Sequence, residues 1–146
     1  KIFLADTNKG LCFDVFDSDG TKLYRVEKKY EKKAVSSRFK EETIAEAKKE
    51  LKDLWEKYKK RYEFREYFPA MENFQVIDNH IYIKTYHRAH DRGMVEYIVM
   101  DLHGNNPRSV SLPYVDTPST IKNNRFYYLL ENEAEEMWEL HSVKIL

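Results

Sequence analysis

His80-Ile81-Tyr82-Ile83-Lys84-Thr85-Tyr86, a polar loop, and then Val95-Glu96-Tyr97-Ile98-Val99-Met100-Asp101-Leu102-His103-Gly104 form the stretch on which the fold turns. Side chains alternate with a period of two and each run ends in turn-forming residues, the pattern of paired, half-buried strands. The pattern occurs twice more. Ile2-Phe3-Leu4-Ala5 leads to Leu11-Cys12-Phe13-Asp14-Val15-Phe16-Asp17-Ser18-Asp19-Gly20. Arg125-Phe126-Tyr127-Tyr128-Leu129-Leu130 leads to Met137-Trp138-Glu139-Leu140-His141-Ser142-Val143. Phe126 matches Ile81 at a distance of about 45 residues, inside the roughly 40–50-residue period of four-stranded propeller blades.

The middle unit shows four strands: Asn73 to Ile77, His80 to Tyr86, Met94 to Asp101 and Arg108 to Leu112. Asp78-Asn79 and Gly104-Asn105 supply its tight turns, because these residue types tolerate positive φ. The first unit begins at its second strand and the last stops after its third, so the strands read three, four, three. The turns at Asp17 and Asp101 lie further apart than one period, and an insertion fills the excess. Within it Ile44, Leu51, Leu54, Trp55, Tyr58 and Tyr62 recur at three- and four-residue steps, one stripe of a long amphipathic helix over about 36–62. Ser36 or Ser37 suits its N-cap. Glu41 and Glu42 early, and Lys57, Lys59, Lys60 and Arg61 late, suit the helix dipole. Pro69 bars continuation. The expected fold is mainly β: about three antiparallel, propeller-like blades forming a partial propeller over residues 1–146, with one long inserted helix.

Composition narrows the function. The 25 basic residues balance 25 acidic ones, which leaves no overall electrostatic footprint for nucleic acid. No segment approaches the roughly 20 apolar residues of a membrane span. A single cysteine, Cys12, excludes an internal disulfide and a cysteine-based zinc site. It does not fix the compartment. No signal peptide is evident and the chain starts at Lys1, so a processed, trimmed or partial chain is expected.

Few residues carry chemistry. Asp17-Ser18-Asp19-Gly20 opens like a calcium loop, but the position that should bear the closing Glu is Lys28. The related Asp101-Leu102-His103-Gly104 keeps only what a turn needs: an Asp acceptor and a Gly. His87, His90 and Asp91 are the one cluster that could ligate zinc. Arg88 and Arg92 beside them disfavour a cation, so a solvated hairpin loop is expected and no metal or cofactor is assigned. No Gly-x-Ser-x-Gly elbow or phosphate-cradling glycine loop occurs. Cys12 reads as a packed thiol, and His141 as a strand histidine with no carboxylate evident beside it. No catalytic residue is assigned. Trp55, Tyr58 and Tyr62 are interaction candidates, being residue types that anchor interfaces. If the stripe instead packs on the chain's own sheets, Leu51 and Trp55 are mostly buried.

Phe16-Asp17-Ser18-Asp19-Gly20 at a blade hairpin, Tyr67-Phe68-Pro69-Ala70 before an inner strand, and Asp78-Asn79-His80-Ile81-Tyr82-Ile83 entering a second strand resemble the C-terminal part of bacterial six-bladed β-propellers of the NHL-like class. The resemblance implies a rigid binding or scaffolding disc, often outside the bacterial cytoplasm, in the periplasm or at the cell surface. It leaves two alternatives: a propeller-type lyase or hydrolase with a central His/Asp site, and a protein–protein adaptor presenting the inserted helix. The implied partners are a protein or the missing blades; independently, the strands missing from the first and last units leave open sheet edges, through which homo-oligomerisation is expected.

Overall fold

The computed structural model describes residues 1–89 and 93–145. The chain divides into two compact units, Lys1–Tyr30 with Pro69–Leu146, and Glu31–Phe68. The first unit holds three antiparallel sheets in the order three, four and three strands. Sheet one is β1 (Ile2–Ala5), β2 (Leu11–Phe16) and β3 (Lys22–Lys28). Sheet two is β4 (Asn73–Ile77), β5 (His80–Ala89), β6 (Met94–Asp101) and β7 (Arg108–Pro113). Sheet three is β8 (Ser119–Lys122), β9 (Arg125–Asn132) and β10 (Met137–Lys144). Each strand pairs with its sequence neighbour, so every sheet is a meander.

Repeated turns fix which strands correspond. The β4–β5 turn holds Asp78 and Asn79 at φ 50° and 59°, and the β8–β9 turn holds Asn123 and Asn124 at 49° and 59°. Two consecutive positive φ values are what a two-residue hairpin needs to match strand twist, and Asn and Asp tolerate them. The β2–β3 and β6–β7 turns share a second design. Asp17 Oδ1 accepts from the backbone N–H groups of Asp19 and Thr21 at 3.2 and 2.9 Å. Asp101 Oδ1 accepts from those of His103 and Asn105 at 2.9 and 2.8 Å. Thus β1, β5 and β9 occupy one position of the repeat, and β2, β6 and β10 the next. Among the described residues sheet one has no counterpart of β4, and sheet three none of β7. The positive φ values that close the β6–β7 turn fall on Gly104 and Asn106, not on Asn105.

Strand parity builds the packing. Leu11, Phe13 and Val26 of sheet one meet Ile81, Ile83 and Met100 of sheet two in one buried cluster. Tyr82, Val95, Tyr97 and Val99, which point the other way, meet Ile121 and Phe126 of sheet three in a second. The middle sheet is therefore covered on both faces. Polar contacts pin the layers: Tyr24 Oη donates to the Leu102 carbonyl at 3.2 Å and its ring stacks on His103 at 4.8 Å. The Asn123 N–H donates to Asp78 Oδ2 at 2.8 Å, linking corresponding turns of sheets two and three.

The second unit is smaller. Its ends are clamped by an antiparallel bridge between Ala34 and Tyr67. The Val35 N–H donates to the Glu66 carbonyl and the Phe68 N–H to the Lys33 carbonyl, each at 2.9 Å. Helix α1 spans Ser37–Leu51, with Ser36 Oγ capping it by accepting from the Phe39 N–H at 3.2 Å. The expected single helix to about residue 62 is corrected: α1 stops at Lys52, whose φ is 46°. A 3-10 turn, a four-residue helix α2 (Trp55–Tyr58) and a second 3-10 turn follow. Leu51 and Trp55 have most of their surface covered, as expected, and Ala47 is the fully buried residue of α1. A stripe spaced for continuous helix loses its alignment where the helix changes pitch, and Leu54 of the same stripe is exposed. Among the described residues no helix is long and apolar enough to cross a membrane.

Gly104 shows how tightly sheets one and two meet. It sits at φ 79°, and a β-carbon there would lie 2.5 Å from Val26 Cγ1 and 2.9 Å from Lys28 Cε. Gly20, at φ 88° in the corresponding turn, has open space around it. Gly20→Ala should therefore cost about 1 kcal/mol, from backbone conformation alone. Gly104→Ala should cost about 2–4 kcal/mol, because overpacking adds to that strain. Urea denaturation of the two variants measures the difference.

Candidate functional site

The aromatic residues of the helical unit gather as a group. Trp55 and Tyr58 lie one helical turn apart and are half-buried, and Tyr62 is exposed. The Trp55 and Tyr62 rings stand 5.3 Å apart. Cations cover them: Lys48 Nζ is 5.6 Å from the Trp55 ring, while Lys57 Nζ and the Arg61 guanidinium are 5.3 and 5.0 Å from that of Tyr58. Such pairs hold the rings in place while leaving surface open. The structure thus brings the three interaction candidates into one cationic, aromatic patch.

Of the metal candidates, His90 and Asp91 lie outside the described residues. His87 sits on β5 with Nδ1 3.9 Å from Glu96 Oε2. Glu96 is occupied elsewhere: Thr85 Oγ1 reaches its Oε2 at 3.2 Å and Ser109 Oγ donates to its Oε1. Among the described residues no three His, Cys, Asp or Glu side chains gather as a metal site requires. Asp17 spends its oxygen on backbone N–H groups, as the turn reading requires. Cys12 is buried. His141 does have a carboxylate partner, contrary to expectation. Its Nε2 is 3.0 Å from Glu139 Oε2, two residues earlier on the same strand face, and its ring stacks on Tyr128 at 5.6 Å. The Glu139 carboxyl titrates below its usual range because Asn132 donates to it, with His141 adding to the effect.

The outer faces of sheets one and three are the feature that sequence reading missed. On sheet one Ile2, Leu4 and Leu23 are exposed, with Asp14 bound by Arg25 Nε and Lys22 Nζ, each at 2.7 Å. The Asp14 carboxyl is held well below the usual range, by Arg25 first and Lys22 second. On sheet three Trp138 and Leu140 are exposed. An apolar depression of about 260 Å³ lies there, lined by Pro118, Thr120, Tyr127, Leu129 and Leu140 among others. The signal was present in Tyr127-Tyr128-Leu129-Leu130, a run apolar on both parities.

A half-buried ion pair lies on sheet two. Lys84 Nζ pairs with Glu72 Oε1 at 2.7 Å and sits 5.0 Å from the Tyr114 ring. Neighbouring Tyr97, paired with Lys84 across β5 and β6, is buried. These groups neutralise one another and tie the start of β4 to the sheet. No protein family, curated protein or solved structure matches the chain.

Burial, and then the negative charge of Glu72, push the Tyr97 phenol up to about 12. The folded state thus favours the neutral phenol. Its contribution to stability is complete below the ordinary tyrosine value of about 10 and is lost as pH rises from there through about 12. In a spectrophotometric titration of phenolate absorbance, Tyr97→Phe should remove the last step to appear.

Proposed function

We propose that this chain is a non-catalytic binding or scaffold module and forms part of a larger six-bladed β-propeller. One observation carries the reading: the sheets repeat in the same sense. The side of sheet one that bears Phe13 packs on the side of sheet two that bears Ile81 and Ile83. The opposite side of sheet two, bearing Tyr82 and Tyr97, packs on the side of sheet three that bears Phe126. The corresponding positions are used each time, and radial repetition of four-stranded meanders is the propeller's way of protecting sheets. A disc of this kind contributes rigidity, and its function lies in what it displays. Here the display is the helical unit, with Trp55, Tyr58 and Tyr62 as anchors for a protein partner.

A covalent tandem of two copies tests the propeller reading, since it supplies six sheets on one chain. The tandem should melt cooperatively at a higher temperature than the single chain, with slowed amide exchange along β1 and β10. Two copies that melt independently at the single-chain temperature would overturn it. The display is tested by a photo-crosslinker at Tyr62. A partner captured by the parent, and lost on joint Trp55→Ala and Tyr58→Ala substitution at unchanged melting temperature, supports it. Equal capture by both removes it.

A further inference from the structure

The stack has a direction. Let the forward side of a sheet be the one that meets the next sheet, and the backward side the one that meets the sheet before. The shared turns give the correspondence residue by residue. Asp14 stands three positions before Asp17, and Ile98 three before Asp101; Leu4 pairs with Asp14 as Ile83 pairs with Ile98. Leu4 therefore corresponds to Ile83, and Ile2 to Ile81, on the backward side. Leu129 stands five positions after Asn124, and Lys84 five after Asn79; Leu140 pairs with Leu129 as Tyr97 pairs with Lys84. Leu140 corresponds to Tyr97, and Trp138 to Val95, on the forward side.

Inside the stack these positions are shut away: Ile83 is 0% exposed and Tyr97 5%. At its ends the corresponding residues stand in water, Leu4 at 56% and Leu140 at 70%. Terminal units of a stacked repeat that end in solvent carry polar outer faces. These two ends carry Ile2 and Leu4 on one side and Trp138 and Leu140 on the other, which is the composition of a covered face. A forward side is covered by a backward side, and the chain exposes one of each.

We infer that the forward face of sheet three docks on the backward face of sheet one of a second copy, and that the same contact made in return closes two chains into a ring of six sheets. The inference rests on the propeller reading and adds the occupant of its open faces. Each contact runs forward to backward, and the two-fold symmetry of the pair makes it twice, so residue i of one copy meets residue j of the other and j meets i. It continues the packing already present between sheets one and two and between two and three, so it calls for no new kind of interface.

Light scattering on the 146-residue protein tests it, with an expected mass about twice the 17.6 kDa of one chain. Leu140→Glu and Leu4→Glu should each halve that mass. Both residues are solvent-exposed in the single chain, and unchanged circular dichroism and melting of the separated chains verify that the fold is kept. Trp138→Lys and Ile2→Lys repeat the test at neighbouring positions. The decisive arm is mixing. Leu140→Glu retains a sound backward face and Leu4→Glu a sound forward face, so an equimolar mixture should recover a two-chain species joined by one contact. A single-chain mass for the parent at high concentration overturns the inference. So does loss of pairing on substitution of one face only, which would mean like faces meet, and so does growth without a limiting mass. A tandem that closes while the single chain stays monomeric overturns the second copy as occupant and leaves the propeller reading standing. Failure of the tandem itself removes that reading.

Discussion

The rest of the structure depends on the two-sided burial of sheet two. Ile81, Ile83 and Met100 leave water on one face, and Tyr82, Val95 and Val99 on the other. Each such side chain contributes about 1.5–3 kcal/mol when fully buried. A meander buried on both faces needs a neighbour on each, and this need sets the layered order of the unit. It also explains the close approach at Gly104, where a turn of sheet two lies against Val26 and Lys28 of β3 and leaves no room for a β-carbon. The turns are thus part of the packing as well as the means of reversing the chain.

The insertion is compatible with this order because it joins β3 to β4 and is closed at its own base. The Ala34–Tyr67 bridge brings its two ends together, so its length adds little to the entropy of joining the strands. Its internal stabilisation is local. Ser36 caps α1, Phe39 meets Phe68 edge-on at 4.8 Å, and Lys48, Lys57 and Arg61 lie over aromatic rings. With only Ala47 buried in its helix, the unit spends few apolar groups on its interior and leaves Trp55, Tyr58 and Tyr62 partly open.

Much of the sheet architecture was legible because strand parity and turn chemistry agree. Asp78-Asn79 names its own turn, and Ile81, Ile83, Val95 and Val99 name the buried faces beside it. What was not legible has physical causes. Strand β8, expected as the first strand of the last unit but without residue bounds, is four residues long with Ile121 as its one buried member, too short for alternation to place it. The end of α1 falls on Lys52 at positive φ, a conformation that lysine does not announce. Leu51 and Trp55 keep helical spacing across that break, so periodicity did not reveal it. The Glu139–His141 pair follows from parity, since residues two apart on a strand share a face, but a charge count does not reveal it. The outer faces were hidden by the ambiguity of runs such as Tyr127-Tyr128-Leu129-Leu130, which periodicity alone cannot assign to one covered face or two.

The end faces differ from the interior in one instructive respect. Where sheet two has Ile98, sheet one has Asp14, held by Arg25 and Lys22. Where sheet two has Val99, sheet three has Ser142, whose Oγ accepts from Arg125 Nη2 at 2.9 Å. Apolar residues thus share the end faces with polar groups that already have partners. A face that must form after the single chain has folded needs such a mixture, because it has to remain tolerable in water before it is covered. Because Arg25 keeps the Asp14 carboxyl ionised, covering that face buries a satisfied ion pair instead of a lone charge. The exchange lowers the gain from association and also limits non-specific collapse of the exposed leucines. On the two-copy inference the ends of the stack serve as interface, and its middle as core.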